Sequence, residues 1–183
     1  MATLVAGANA ALTVENPGLD HVVVGLGWES IPSHGPSAEL VPFAVMCDAN
    51  GVAASNDHLV FFNQLVSADA SVTFAGEEDQ EQIDVDLSRV PEDIAKIVFF
   101  VYVDPDVRGK GTFAAVRNSH IRLSTAENRE ILRFEIPATN MDSVTALIFG
   151  ELYRHRTEWK FRALGQGYTT GLAGVAKDFG ISL

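Results

Sequence analysis

The chain predicts an all-β fold, a two-sheet antiparallel β-sandwich carrying one or two short helices. Three observations point there. Short runs rich in Val, Ile and Phe recur along the 183 residues, the pattern expected of sandwich strands. Turn chemistry separates them, as in Asp48-Ala49-Asn50-Gly51, Ser67-Ala68-Asp69-Ala70 and Asp104-Pro105-Asp106. In the stretch after Glu158, apolar Trp159, Phe161 and Ala163 alternate with Lys160 and Arg162, so one face is buried and the other wet.

Strands are expected over residues 21–28, 43–47, 59–62, 71–74, 82–87, 96–103, 112–123 and 130–136. Residues 96–103, KIVFFVYV, are apolar at nearly every position, which marks a central strand covered on both faces. Residues 144–153 suit a strand, and their apolar spacing also suits a short helix. Residues 149–172, FGELYRHRTEWKFRALGQGYTTGL, read as a hairpin that turns at the charged stretch 154–158. The glycines that follow, Gly165, Gly167 and Gly171, mark positive φ or close backbone approach. Pro91, with acids behind it, opens a brief helical turn. Residues 172–179 suit a terminal helix ended by Gly180. The prolines of 32–42 make that segment a surface loop, long enough to be a candidate functional loop. No shift of composition divides the chain, so residues 1–183 are expected to form a single domain.

Composition narrows the function classes. The net charge is −11, and no basic stripe is present to replace phosphate counterions, which excludes nucleic acid as a partner. Such a balance is compatible with cations or a basic partner. Cys47 is the single cysteine, so no internal disulfide forms; its apolar neighbours predict a buried thiol. The N-terminus lacks the basic region and long apolar core of a secretory signal. No run approaches the roughly 20 apolar residues of a transmembrane helix, and a cytoplasmic protein is expected.

The familiar catalytic and ligand motifs are missing. His21, His34, His58, His120 and His155 show no zinc-ligand spacing. The glycine after Asn50 arrives too early for a calcium-binding EF-hand loop, and a hairpin turn fits better. Gly25-Leu26-Gly27 lacks the third glycine of a dinucleotide fingerprint. The segment 108–112, RGKGT, lacks the upstream glycine of a phosphate loop and reads as a solvated hairpin loop. There is no GxSxG elbow. Paired-carboxylate hydrolysis needs two acids held across a cleft, and the acids here crowd one short loop. Trp28, Trp159 and Tyr153 are read as large pieces of core. A non-enzymatic protein is expected.

One resemblance is more specific than periodicity. GELYRH–EWKFRALGQGY–GL of residues 150–172 resembles the C-terminal signature of the TerD family, the tellurite-resistance and stress-response domain. VGLGW of 24–28, LVFFN of 59–63, EQIDVDL…VP of 81–91 and FAAVRNSHIRL of 113–123 resemble further family segments in the same order. The resemblance implies a β-sandwich and a role in resistance to tellurite, other chemical stress and phage. It also implies partnership with other TerD-like or stress-response proteins, in a membrane-associated complex.

Calcium-binding members of the family take their ligands from two acidic places, a DLDAS-like stretch and a long GDN…GDGDDE loop. The resemblance puts the first on Glu39-Leu40-Val41-Pro42-Phe43 and the second on Gly76-Glu77-Glu78-Asp79-Gln80-Glu81. Glu39, Glu77, Asp79 and Glu81 keep acids at or near ligand positions. Val41 and Phe43 replace an acid and a serine, Gln80 replaces an acid, and the loop is several residues shorter. Calcium takes six to eight oxygens, so binding weakened or lost is expected, with one residual calcium site as the alternative and no other cofactor. Packed like charges repel, and a cation would relieve them; a solvated acidic loop is the plainer reading. A structural protomer of a larger assembly, or a homo-oligomer joined at free sheet edges, is a second reading of function.

Overall fold

The computed structural model describes residues 2–31, 39–76, 81–108 and 111–183. Among them, strands dominate and fall into two six-stranded sheets. The first has the order β1 (Ala2–Leu4), β10 (Glu130–Pro137), β9 (Val116–Ser124), β3 (His21–Ser30), β7 (Glu81–Asp86), β6 (Val72–Phe74). The second runs β2 (Asn9–Ala11), β12 (Glu158–Tyr168), β11 (Ala146–His155), β8 (Lys96–Val103), β4 (Leu40–Cys47), β5 (Leu59–Val60). All pairs are antiparallel except β1 with β10. A four-residue helix α1 (Pro105–Arg108) and a terminal helix α2 (Gly171–Phe179) complete the set.

The two sheets differ in how their side chains divide. In the first, Val22, Val24, Leu26, Ile83, Val85, Leu132, Phe134 and Ile136 enter the core between the sheets. Their neighbours Asp84, Asp86, Arg133 and Glu135 stay at or near solvent, the alternation of a sheet with one wet face. The second sheet is apolar on both faces. Ile97, Phe99 and Val101 of β8 point into the shared core, while Val98, Phe100 and Tyr102 point outward into a second cluster. Strand β4 divides likewise, with Ala44 and Met46 inward and Val41, Phe43, Val45 and Cys47 outward.

That outer face has two covers. Helix α2 lays Val175 and Ala176 on it, with Ile181 just beyond the helix; Gly180, at φ 63°, ends the helix in the left-handed conformation. Phe61 stacks on Phe43 with ring centroids 4.7 Å apart, and Phe43 stacks on Phe100 at 4.9 Å.

The sheet edges are short. Residues 5–8 carry the chain from β1 to β2, and residues 61–71 carry it from β5 to β6, so each side of the sandwich is joined by one segment. The four edge strands are two or three residues long, which leaves little unpaired backbone for another chain to extend.

Several expectations need correcting. Residues 108–112 do not join a hairpin: β8 and β9 lie in different sheets, and the segment crosses between them. Residues 109–110 lie outside the described residues. Strand β4 starts at Leu40, so Leu40–Pro42 belong to it and not to the preceding loop, whose residues 32–38 are also outside the described set. Pro42 is tolerated because β5 pairs only with Ala44 and Val45, leaving Pro42 bonded on one side, toward β8. Residues 144–153 resolve as strand, with β11 running from Ala146 to His155. Pro91 opens a single turn closed by the Ile94 N–H on the Pro91 carbonyl at 3.0 Å. Strands β1 and β2 were not anticipated: ATL and NAA are too short and too little buried to carry a periodic signal.

The charged end of the β11–β12 hairpin also differs from expectation. Arg154 is no turn residue; it pairs with Trp159, and the turn falls on Arg156 and Thr157. Its guanidinium lies 4.5 Å from the Trp159 ring. It donates to the carbonyls of Ile94 (2.9 Å), Val90 (2.8 Å) and Pro91 (3.0 Å). One side chain therefore holds the 90–95 connection against the hairpin. Burial lowers its pKa from the ordinary arginine value, with Glu92 opposing that shift. Arg154→Ala is expected to lose about 2–4 kcal/mol of stability, three charge-assisted bonds being removed together. Urea unfolding measures it, and Arg154→Lys should recover only part, because an ammonium cannot reproduce the planar fork.

Candidate functional site

The two described carboxylates of the sequence-derived ion site come from opposite sheets. Glu39 immediately precedes β4, and its carbonyl accepts the Asp104 N–H at 2.8 Å, tying the start of β4 to the end of β8. Glu81 opens β7, in register with Leu26. Partial burial pushes the Glu81 carboxyl above its ordinary value, and the negative charge of Glu39 pushes it the same way. The charge of Glu39 therefore reaches Glu81, which spacing alone left open. Glu77 and Asp79, with Glu78 and Gln80, lie outside the described residues.

Two further positions of the first ligand stretch point to the outer face of the second sheet. Val41 and Phe43 are 6% and 2% exposed and sit in the outer cluster beside Val98 and Phe100. They fill apolar volume where the resemblance implies an acid and a hydroxyl. Among the described residues, no group of three or more His, Cys, Asp or Glu stands together as a metal site. Two described carboxylates fall short of the oxygen count calcium requires.

Charged side chains elsewhere serve the scaffold. Glu151, 5% exposed, meets Lys96 Nζ at 3.3 Å and Arg162 Nη1 at 3.3 Å. Lys96 lies over the Phe179 ring at 5.8 Å and Arg162 over Tyr153 at 4.6 Å, so the GELY and WKFR segments fasten each other and the end of α2. Asp69 was read only as turn chemistry, yet it organises the β5–β6 connection. Its Oδ1 accepts from Ser67 Oγ and Ser71 N, each at 2.9 Å, and from Ser71 Oγ. Oδ2 is buried with no hydrogen-bond partner among the described residues, 3.7 Å from His58 Nε2. His58 Nδ1 in turn meets Ser55 Oγ at 2.8 Å. Burial acts to raise the Asp69 pKa, but the serine hydrogen bonds and His58 outweigh it and hold it below the ordinary value. Sequence offered no signal for this set, because the serine, histidine and aspartate are brought together by a turn at Ala70.

Cys47 is fully buried in the outer cluster, and burial pushes its thiol up to about 12, so it is an inert core group. Trp159 is core, as expected, beneath Arg154. Asp48–Gly51 is a hairpin turn, with Asp48 Oδ1 accepting from Asn50 N at 2.8 Å.

Comparison with known proteins settles the family. The TerD domain model matches residues 1–179. The chain belongs to the TerD family. It is 36% identical over 184 residues to the tellurium resistance protein TerD of Serratia marcescens, covering 96% of this chain and 95% of that one. It is 40% identical over 191 residues to general stress protein 16U of Bacillus subtilis, covering 99% and 98%. The crystal structure of a TerD homologue from Streptomyces coelicolor superposes with a TM-score of 0.67 at 24% identity, covering 87% of this chain and 96% of that chain. That likeness shows the TerD fold in an experimental structure.

The partial burial of Glu81, reinforced by the charge of Glu39, has a pH signature. A raised folded-state pKa means that the stability Glu81 contributes is complete below about pH 4 and is lost as pH rises through the raised value. Glu81→Gln should therefore unfold at a higher temperature than the parent at pH 7. Because the group is partly solvated, the gain should be roughly 1–2 °C for a domain of this length. Thermal melts should show the difference vanishing near pH 4.

Proposed function

We propose that this TerD-family protein serves the stress response without catalysis, acting through contacts with other proteins, and that its calcium binding is weak or lost. The observation that carries the calcium half is the burial of Val41 and Phe43 in the outer cluster, because ligand-bearing side chains there would have to leave a packed face. Among the described residues the ion site keeps two carboxylates, Glu39 and Glu81, too few for a calcium ligand shell. The contact half draws support from Phe62, Leu65 and Val66, exposed by 51%, 51% and 45% around the β5–β6 connection. Clustered exposed apolar groups are a common mark of protein contact. Short edge strands speak against assembly by strand addition.

The resistance and stress roles are those that the names of the relatives carry, tellurium resistance in Serratia marcescens and general stress in Bacillus subtilis. No helix among the described residues is long and apolar enough to cross a membrane, so a place in a membrane-associated complex would rest on partners. Isothermal calorimetry of metal-stripped protein tests the calcium half. The expected result is no calcium binding tighter than a Kd of about 10⁻⁴ M. One or two sites near a micromolar Kd would overturn it.

A further inference from the structure

The chain is electrically divided. Residues 1–88 hold thirteen Asp and Glu and no Lys or Arg, so all thirteen Lys and Arg lie from Arg89 onward. Folding turns this division into two halves of the sandwich. Strands β3, β7 and β6 lie side by side in one sheet, and β4 and β5 close the other sheet at the edge that residues 61–71 join. That half carries no lysine or arginine, on its strands or on the connections between them.

The same half carries a group of exposed apolar side chains. Of six large hydrophobic residues exposed among the described ones, Phe62, Leu65 and Val66 fall within five positions of the β5–β6 connection. They are held in a fixed frame. Phe61 and Gln64 exchange backbone bonds of 3.0 Å in both directions, which sets Phe62 at the tip of a tight turn. Its ring meets Phe61 edge-on at 5.6 Å and extends the Phe43–Phe100 stack to the surface. The Leu65 carbonyl accepts the Phe74 N–H at 2.7 Å, and Val66 bridges to Thr73. Acids flank these residues on both sides. Asp57 is exposed, and its carbonyl accepts the Ala68 N–H at 3.0 Å. On the wet face, Val66, Thr73 and Asp84 stand in register on successive strands, which puts Asp84 about 10 Å from Val66.

We propose that the β5–β6 connection docks a basic polypeptide segment of a partner protein. Its apolar side chains seat on Phe62, Leu65 and Val66, and its lysines or arginines face Asp57 and Asp84. The proposal rests on the reading of this protein as one that acts by protein contact, and adds the partner's chemistry. An apolar anchor alone would accept many partners. A rim of acids without lysine or arginine repels acidic ones and attracts basic ones. A second copy of this chain fits poorly, since each copy carries a net charge of −11. Several cations of its other half are also engaged: Arg133 meets Glu130 at 2.9 Å, Lys96 and Arg162 meet Glu151, and Arg154 holds three carbonyls. Nucleic acid and anionic lipid meet the same repulsion.

The probe is a synthetic peptide of about 14 residues, with leucines on one helical face and lysines on the other. It is titrated against the full chain in a chelator and followed by fluorescence anisotropy. Two control peptides replace its lysines by glutamates or its leucines by serines. The leucine–lysine peptide should bind saturably with a Kd below about 100 µM at low salt, and roughly tenfold more weakly at about 0.5 M salt. Each control peptide should bind at least about tenfold more weakly. Phe62→Ser/Leu65→Ser should weaken the probe roughly tenfold, and Asp57→Asn/Asp84→Asn roughly threefold. Asp84 Oδ1 accepts from Gln82 Nε2 at 2.9 Å, a bond that asparagine also accepts. The charge variant therefore carries the test even if the apolar one loses stability. Glu127→Gln/Glu135→Gln removes the same charge from the opposite half and should leave the affinity unchanged. Equal losses in the two charge variants would overturn the proposal, because the attraction would then belong to net charge. Failure of the leucine–lysine peptide to saturate, or a dimer in sedimentation that Phe62→Ser abolishes, would also overturn it. Tighter binding of the leucine–glutamate peptide at Phe62 and Leu65 would overturn the basic partner alone and leave the contact reading standing.

Discussion

The structure depends on covering a sheet that is apolar on both faces. Strand β8 buries residues on each side, and β4 and β11 follow it. One face is satisfied by the opposite sheet; the other would expose Val98, Phe100 and Tyr102 to water. Fully burying one such side chain is worth about 1.5–3 kcal/mol, so a cover is essential for a chain of this length. It is assembled from α2 and from Phe61, which pack on the outward side chains of β8, β11 and β4. The Glu151 ion cluster closes its polar margin, where Lys96 and Arg162 reach in over aromatic rings. A buried glutamate needs such partners, since an unpaired charge there would be far more costly than the pair is stabilising.

That constraint reaches the candidate ion site. Positions 41 and 43 sit at the start of a strand whose outward residues all lie in the covered cluster. An acid at 41 and a serine at 43 would place polar groups against Phe100 and Phe61. The apolar residues found there extend the aromatic stack instead, with Phe43 at its centre. Both positions are thereby committed to packing in the outer cluster.

Much of the fold was legible because period-two burial is a strong signal in strands as long as β10 and β12, and because the unbroken apolar run of β8 marks a strand covered on both faces. Trp159, Phe161 and Ala163 are core and Lys160 and Arg162 are not, as their alternation required. Gly165 has φ 70°, and Gly150 shows close approach at another point of the hairpin, since a Cβ there would fall 2.4 Å from the Phe161 ring. What stayed hidden was non-local. Nothing in the spacing of Arg154 announces three carbonyl acceptors some sixty residues earlier. The crossing between β8 and β9 was read as a hairpin because turn residues report a reversal, not the sheet to which the chain returns. At the candidate site the residues could be named but not placed: the influence of Glu39 on Glu81 depends on how the two sheets stack, and the outward aim of Val41 and Phe43 depends on the register of β4.

Val41 and Phe43 belong to the packed outer cluster. The most direct measurement is the chemical unfolding of the double variant Val41→Asp/Phe43→Ser, with and without millimolar calcium. The account predicts a loss of at least about 4 kcal/mol, from a deleted aromatic side chain and a buried charge, that calcium does not restore. An unchanged midpoint, or full recovery on adding calcium, would contradict it.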